Sequence, residues 1–186
     1  MEKEEIELLS KSYAPIVERL INSNVRYYRF KETIRWCFGY DEEMSIMASC
    51  NRKTNVITIN LKAFMNAYLS KDMMTIEYYL LHEIRHVFQH IVMKDFEEGK
   101  NIPISHDIVN KWIEEEKNYV KSIDENGKEN PNYFFQDLEM DAYAFSYSVM
   151  KHKYKNVDIL YVPPMYGWEF FDMVNEWLIA FKSEGL

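Results

Sequence analysis

The feature that most constrains this chain is a single run, Tyr78-Tyr79-Leu80-Leu81-His82-Glu83-Ile84-Arg85-His86-Val87-Phe88-Gln89-His90, which holds a His-Glu-x-x-His motif inside an apolar-periodic segment. Ile76, Leu80, Ile84, Val87, Phe88 and Ile91 recur at spacings of three and four, the period of a helix buried along one stripe. Residues four apart on a helix lie one above the other, so His82 and His86 can aim two imidazoles at one metal ion from the side opposite that stripe. Glu83, one position round, stands beside such an ion rather than on it, where a general base is needed. Three histidines on one helix can also be polar residues on a solvated face, but the apolar flanks argue against that. The motif therefore predicts a Zn2+ site, and such a site needs a third protein ligand.

The remainder of the chain must build a fold around that helix. At 186 residues it has material for one hydrophobic core, so a single domain is expected over 1–186. Its parts are N-terminal helices over 1–43, a hairpin and metal-site core over 44–150, and a C-terminal loop and helix over 151–186. Glu2 to Asn22 reads as an amphipathic helix, with Pro15 predicting a kink or a division into two helices. Val25 to Phe38 reads as a second helix. Met44 to Ala48 and Val56 to Asn60, separated by the polar Asn51-Arg52-Lys53-Thr54-Asn55, read as an antiparallel hairpin. Leu61 to Leu69 is helical, and Asp72 is the candidate N-cap of the motif helix, which the Glu97-Glu98-Gly99 break ends. Asp107 to Val120, Asn132 to Met150 and Trp168 to Phe181 complete the helices. The resulting fold class is α+β, mainly helical, with a small antiparallel sheet packed by the motif helix.

Net charge and cysteine usage narrow the partners. A charge of -8 leaves no basic field for phosphate backbones, so nucleic acid is not expected, and no apolar stretch is long enough to span a membrane. The charged start of the chain carries no apolar signal core, which predicts a cytoplasmic protein. Cys37 and Cys50 form no CxxC pair and are expected to be reduced and at least partly buried.

The third ligand is to be sought in the helix over Asn132 to Met150. Its apolar stripe of Phe135, Leu138, Ala142, Phe145 and Val149 is flanked on opposite sides by Glu139 and Asp141, and helix geometry alone does not choose between them. The metzincin pattern is excluded, because Gln89 and Val92 stand where it requires glycine and histidine. His90 lies about 12 Å along the axis from His82 and is peripheral to one shared ion.

The two segments His82-Glu83-Ile84-Arg85-His86 and Glu139-Met140-Asp141-Ala142-Tyr143-Ala144-Phe145-Ser146 together resemble the glutamate-zincins, in particular the ImmA/IrrE-like metallopeptidases. The resemblance covers roughly Ser45 to Met150. It implies a zincin-like domain in which His82, His86 and Glu139 ligate zinc and Glu83 is the catalytic carboxylate. Three departures stand out: Tyr143 replaces the usual Asp or Asn four residues after the ligand glutamate, so either Asp141 orients a histidine or the site is tuned differently. The gap between the two helices is longer, filled by the helix over Asp107 to Val120. No DNA-binding module accompanies the domain.

The activity so implied is hydrolysis of a peptide bond in a protein or peptide substrate, with Glu83 moving the proton. The hairpin strand offers an edge along which an extended substrate can pair. Tyr143, Tyr147, His152, Tyr161 and Tyr166 are the candidate donors to the oxyanion, unranked. One alternative is an idle zincin fold serving as a binding or regulatory module with a structural zinc, against which an intact Glu83 argues; another is a helical interaction protein with no metal.

Overall fold

The computed structural model describes residues 2–42, 46–123, 127–128, 130–154, 157 and 160–186. Its centre is α3 (Met73–Glu97), capped by the Asp72 side chain, which accepts from the Thr75 amide at 3.1 Å. Around it stand α1 (Lys3–Asn24), a mixed sheet, α2 (Leu61–Leu69), α4 (His106–Lys117), α5 (Asp137–Lys153) and α6 (Trp168–Ser183). The fold is α+β and mainly helical, as its periodicities predict.

Three apolar clusters share α3. Ile76, Leu80, Ile84 and Val87 pack with Val17 of α1, Phe64 of α2 and the sheet residues Ile57 and Ile59. Tyr78 and Leu81 pack with Phe145, Val149 and Met150 of α5 and Phe170, Val174 and Phe181 of α6. Phe88, Val92 and Met93 pack with Val109 and Trp112 of α4 and Leu138 of α5. The helix is therefore buried on several sides rather than along one stripe. That enclosure forces its polar residues Glu77, His82, Glu83, Arg85 and Gln89 into the interior, where each needs a partner.

The sheet has strand order β1-β3-β2, with β1 Arg35–Gly39, β2 Ala48–Asn51 and β3 Val56–Asn60. The β2–β3 hairpin is antiparallel as expected. Its first strand begins at Ala48 rather than Met44, and positions 44–45 lie outside the described residues. β1 joins in parallel and makes the sheet mixed, which corrects the helix expected over Val25 to Phe38. Only Val25–Tyr27 winds there, as one turn of 3-10 helix. The alternation explains the difference: Ile34, Trp36 and Phe38 pack against the core while Arg35 and Cys37 are exposed, a period of two. Gly39 is required where β1 meets β3, because a Cβ there would lie 2.8 Å from the Thr58 methyl.

Smaller corrections follow from packing. α1 runs unbroken through Pro15. α5 begins at Asp137 after a 3-10 turn over Pro131–Phe135, so Phe135 is exposed rather than part of the buried stripe. Cys37 is exposed, not partly buried, and both cysteines are free. Of the aromatic C-terminal loop, Tyr166 joins the core and Tyr161 is exposed. Among the described residues, no helix is long and apolar enough to cross a membrane.

Candidate metal centre

α3 and α5 cross so that His82, His86 and Glu139 meet. The two Nε2 atoms are 3.0 Å apart, and Glu139 Oε2 lies 3.3 Å from His82 Nε2 and 3.5 Å from His86 Nε2. Metal bonds of about 2.0–2.1 Å to nitrogen and oxygen place tetrahedral ligand atoms about 3.3 Å apart, which matches all three edges. Glu139 is fully buried, and its Oε2 has no hydrogen-bond partner among the described residues although it faces both rings. A buried carboxylate oxygen left in this way is costly unless a cation completes it. Two neutral imidazoles and one carboxylate oxygen form a donor set suited to zinc, so the residues present fit a metal ion, while the group itself establishes only that one can be held.

The helix that carries Glu139 also carries Asp141, and the structure gives them different partners. Asp141 turns to the other side of the α3–α5 seam and receives a two-pronged bond from Arg85, Nε to Oδ2 at 2.7 Å and Nη2 to Oδ1 at 3.0 Å. Gln89 links the two sides: its Nε2 donates to Asp141 Oδ2 at 2.7 Å and to the Leu138 carbonyl at 2.9 Å, and its Oε1 accepts from His86 Nδ1 at 2.8 Å. With the proton on Nδ1 fixed there, His86 Nε2 is the free lone pair that faces Glu139. His82 has no equivalent support. Its Nδ1 is buried without a partner among the described residues, and Tyr143, at the position where the resemblance leads one to expect a polar orienting group, packs its ring 4.3 Å away instead.

Electrostatics follow from burial and proximity. Without a cation in the group, desolvation pushes the His86 imidazole down, but Glu139 outweighs it and lifts it to about 9, so a metal ion would have to take the place of the proton on Nε2. Desolvation likewise opposes ionisation of Glu139, and the two imidazoles overcome it, holding the carboxyl well below its usual range. Burial raises the Glu83 carboxyl; His82 and His86 pull the other way, as does the Cys50 amide. A base raised in this manner is better matched to proton transfer near neutrality than an ordinary glutamate.

A cleft of about 400 Å³ opens onto the group. Glu83, His86 and Glu139 form its floor, the edge strand β2 contributes Ala48, Ser49 and Cys50, and the segment after α4 contributes Tyr119. Burial raises the Cys50 thiol, so it stays protonated and is no competing nucleophile. His90 lines the same cleft but is outside the ligand group: its Nδ1 is engaged with Asn55 Oδ1 at 2.8 Å, and burial lowers it to about 3, keeping it neutral.

The five expected oxyanion donors do not line this cleft. His152 packs against Tyr27 and Phe181, and the Tyr161 carbonyl accepts from Tyr78 at 2.8 Å. Tyr119 and Tyr133 line it in their place. No periodicity marks Tyr119, which lies just past a helix end. Arg85 and Gln89 did leave a signal, since a charge and an amide four residues apart on a buried helix require internal partners. No family model, curated protein or solved structure matches this chain.

Proposed function

We propose that the protein is a zinc-dependent peptidase of the glutamate-zincin type, akin to the ImmA/IrrE-like enzymes its two helix motifs resemble. The observation that carries this reading is the fully buried Glu139 Oε2, which makes no hydrogen bond among the described residues and faces the Nε2 atoms of both motif histidines, with Glu83 lining the same cleft. His82, His86 and Glu139 hold the ion. Bound zinc would lower the pKa of a water towards about 7 and polarise the scissile carbonyl.

The chain's own residues do the rest. Glu83 takes a proton from the attacking water onto its carboxylate and hands it to the leaving amine nitrogen. Gln89, itself held by Asp141, keeps His86 Nδ1 protonated and the ring oriented. β2 is a sheet edge on the cleft, so an extended polypeptide can pair with its backbone, a mode that demands little of the substrate's sequence. The reading includes a cytoplasmic setting, where free Cys37 and Cys50 stay reduced.

Glu83→Gln is the test. The variant should retain zinc, measured by elemental analysis beside wild type, and lose roughly 10²–10⁴-fold in hydrolysis of an unfolded protein substrate. Equal hydrolysis by variant and wild type sinks the mechanism, and wild type that takes up no zinc sinks the metal site.

A further inference from the structure

We propose that Tyr119 is a catalytic residue, its phenol O–H donating to the scissile carbonyl oxygen as negative charge builds there. The inference rests on the peptidase reading and names a part that the two helix motifs do not supply. Tyr119 lines the cleft beside Glu83, His86 and Glu139. Its hydroxyl donates to Glu139 Oε1 at 2.6 Å, while the other oxygen of that carboxylate faces the two histidines. The phenol thus stands one carboxylate group away from the place where the carbonyl must be polarised. A hydroxyl hydrogen rotates about its ring C–O bond, so the same donor can turn from Glu139 to a substrate oxygen without moving the ring.

The mount is rigid, and it is assembled from segments distant in sequence. Arg52, in the β2–β3 turn, lays its guanidinium over the Tyr119 ring, 3.1 Å from the centroid, and pairs with Glu116 at 3.3 Å. Val120, the next residue, is clasped by the Gln136 amide, which accepts from its N–H at 2.9 Å and donates to its C=O at 3.0 Å. Glu115 accepts from the Asp137 and Leu138 amides at 2.7 and 2.9 Å, tying α4 to the first turn of α5, where Glu139 stands. The long connection between the two motif helices is therefore pinned at both ends of Tyr119. A donor held in place before the charge appears is the arrangement that lowers a barrier.

Two other donors on the cleft are already engaged. Arg52 is spent on Glu116 and the Tyr119 ring, and His90 on Asn55. Tyr133, edge-on to Tyr119 at 6.2 Å and itself interacting with Glu139, is the rival phenol.

The test compares Tyr119→Phe and Tyr133→Phe with wild type, measuring kcat and KM at saturating zinc and zinc affinity by competition with a chromogenic chelator. Tyr119→Phe should lower kcat at saturating zinc roughly 10²–10³-fold with KM unchanged, whether or not zinc affinity also falls through the lost bond to Glu139. If kcat at saturating zinc is unchanged and zinc affinity drops about 10–100-fold, Tyr119 is only a positioning residue for Glu139 and the proposal fails. It fails equally if the loss of kcat belongs to Tyr133→Phe. Wild type without hydrolytic activity overturns the peptidase reading itself, an outcome distinct from an active wild type that tolerates Tyr119→Phe.

Discussion

Two polar clusters lie back to back across the seam between α3 and α5, and they differ in how completely they are satisfied. On one side Arg85 is 3% exposed, grips Asp141 through two nitrogens, and stacks over Phe88 and Trp177 at 4.2 and 4.7 Å. A second network further along α3 is equally complete: Glu77 accepts from Asn24 at 2.6 Å, from Tyr154 at 2.7 Å and from Lys153. On the other side, Glu139 Oε2 and His82 Nδ1 are buried without hydrogen-bond partners among the described residues. The same helix pair thus closes one cluster and leaves the other open. A closed cluster holds the helices in register, and an open one at the same depth could hold a cation.

The comparison can be broken first on the closed side. Removing one member of a buried ion pair strands the other charge, so Arg85→Ala should cost about 3–5 kcal/mol in chemical denaturation. The double variant Arg85→Met with Asp141→Leu, which removes both charges, should recover most of that loss. If the single variant is as stable as wild type, the Arg85–Asp141 pair does not hold the seam.

On the open side the stability should depend on metal. Glu139→Gln should abolish zinc uptake and with it the zinc-dependent gain in unfolding free energy, about 4 kcal/mol when free zinc is a thousand times the dissociation constant. Asp141→Asn should keep stoichiometric zinc, because Asp141 faces Arg85 and not the ion site. Elemental analysis of the two variants decides this directly, and zinc lost only in the Asp141 variant would reverse the assignment of the two carboxylates.

The link between the clusters should show the smallest effect. Gln89→Ala removes the acceptor that fixes His86 Nδ1 while leaving all three ligands, so zinc affinity should drop about 10–100-fold without loss of stoichiometry at saturation. Chelator competition reads the change, and an unchanged affinity would mean the two sides are independent.

Much of this architecture is local and could be read in residue order. Helix α3, its Asp72 cap and the shared face of His82 and His86 follow from apolar spacing and from a helix repeat of 3.6 residues, which neighbouring chain cannot alter. The β2–β3 hairpin is local in the same sense. β1 is not: its strand exists because β3, twenty-one residues on, offers a parallel edge, and a short apolar run by itself fits either a strand or a helix. Glu139 and Asp141 were equivalent on their own helix. What parted them is Arg85, fifty-six residues away, which claims Asp141 and turns Glu139 towards the histidines. Tyr119 reached the cleft by the same kind of distant contact, through Arg52 and Gln136. The sequence determined which helix presents two histidines on one face, and its resemblance pointed to Glu139; only the tertiary structure decided that this carboxylate meets them and that the Tyr119 phenol bonds to it, because those contacts join residues far apart in the chain.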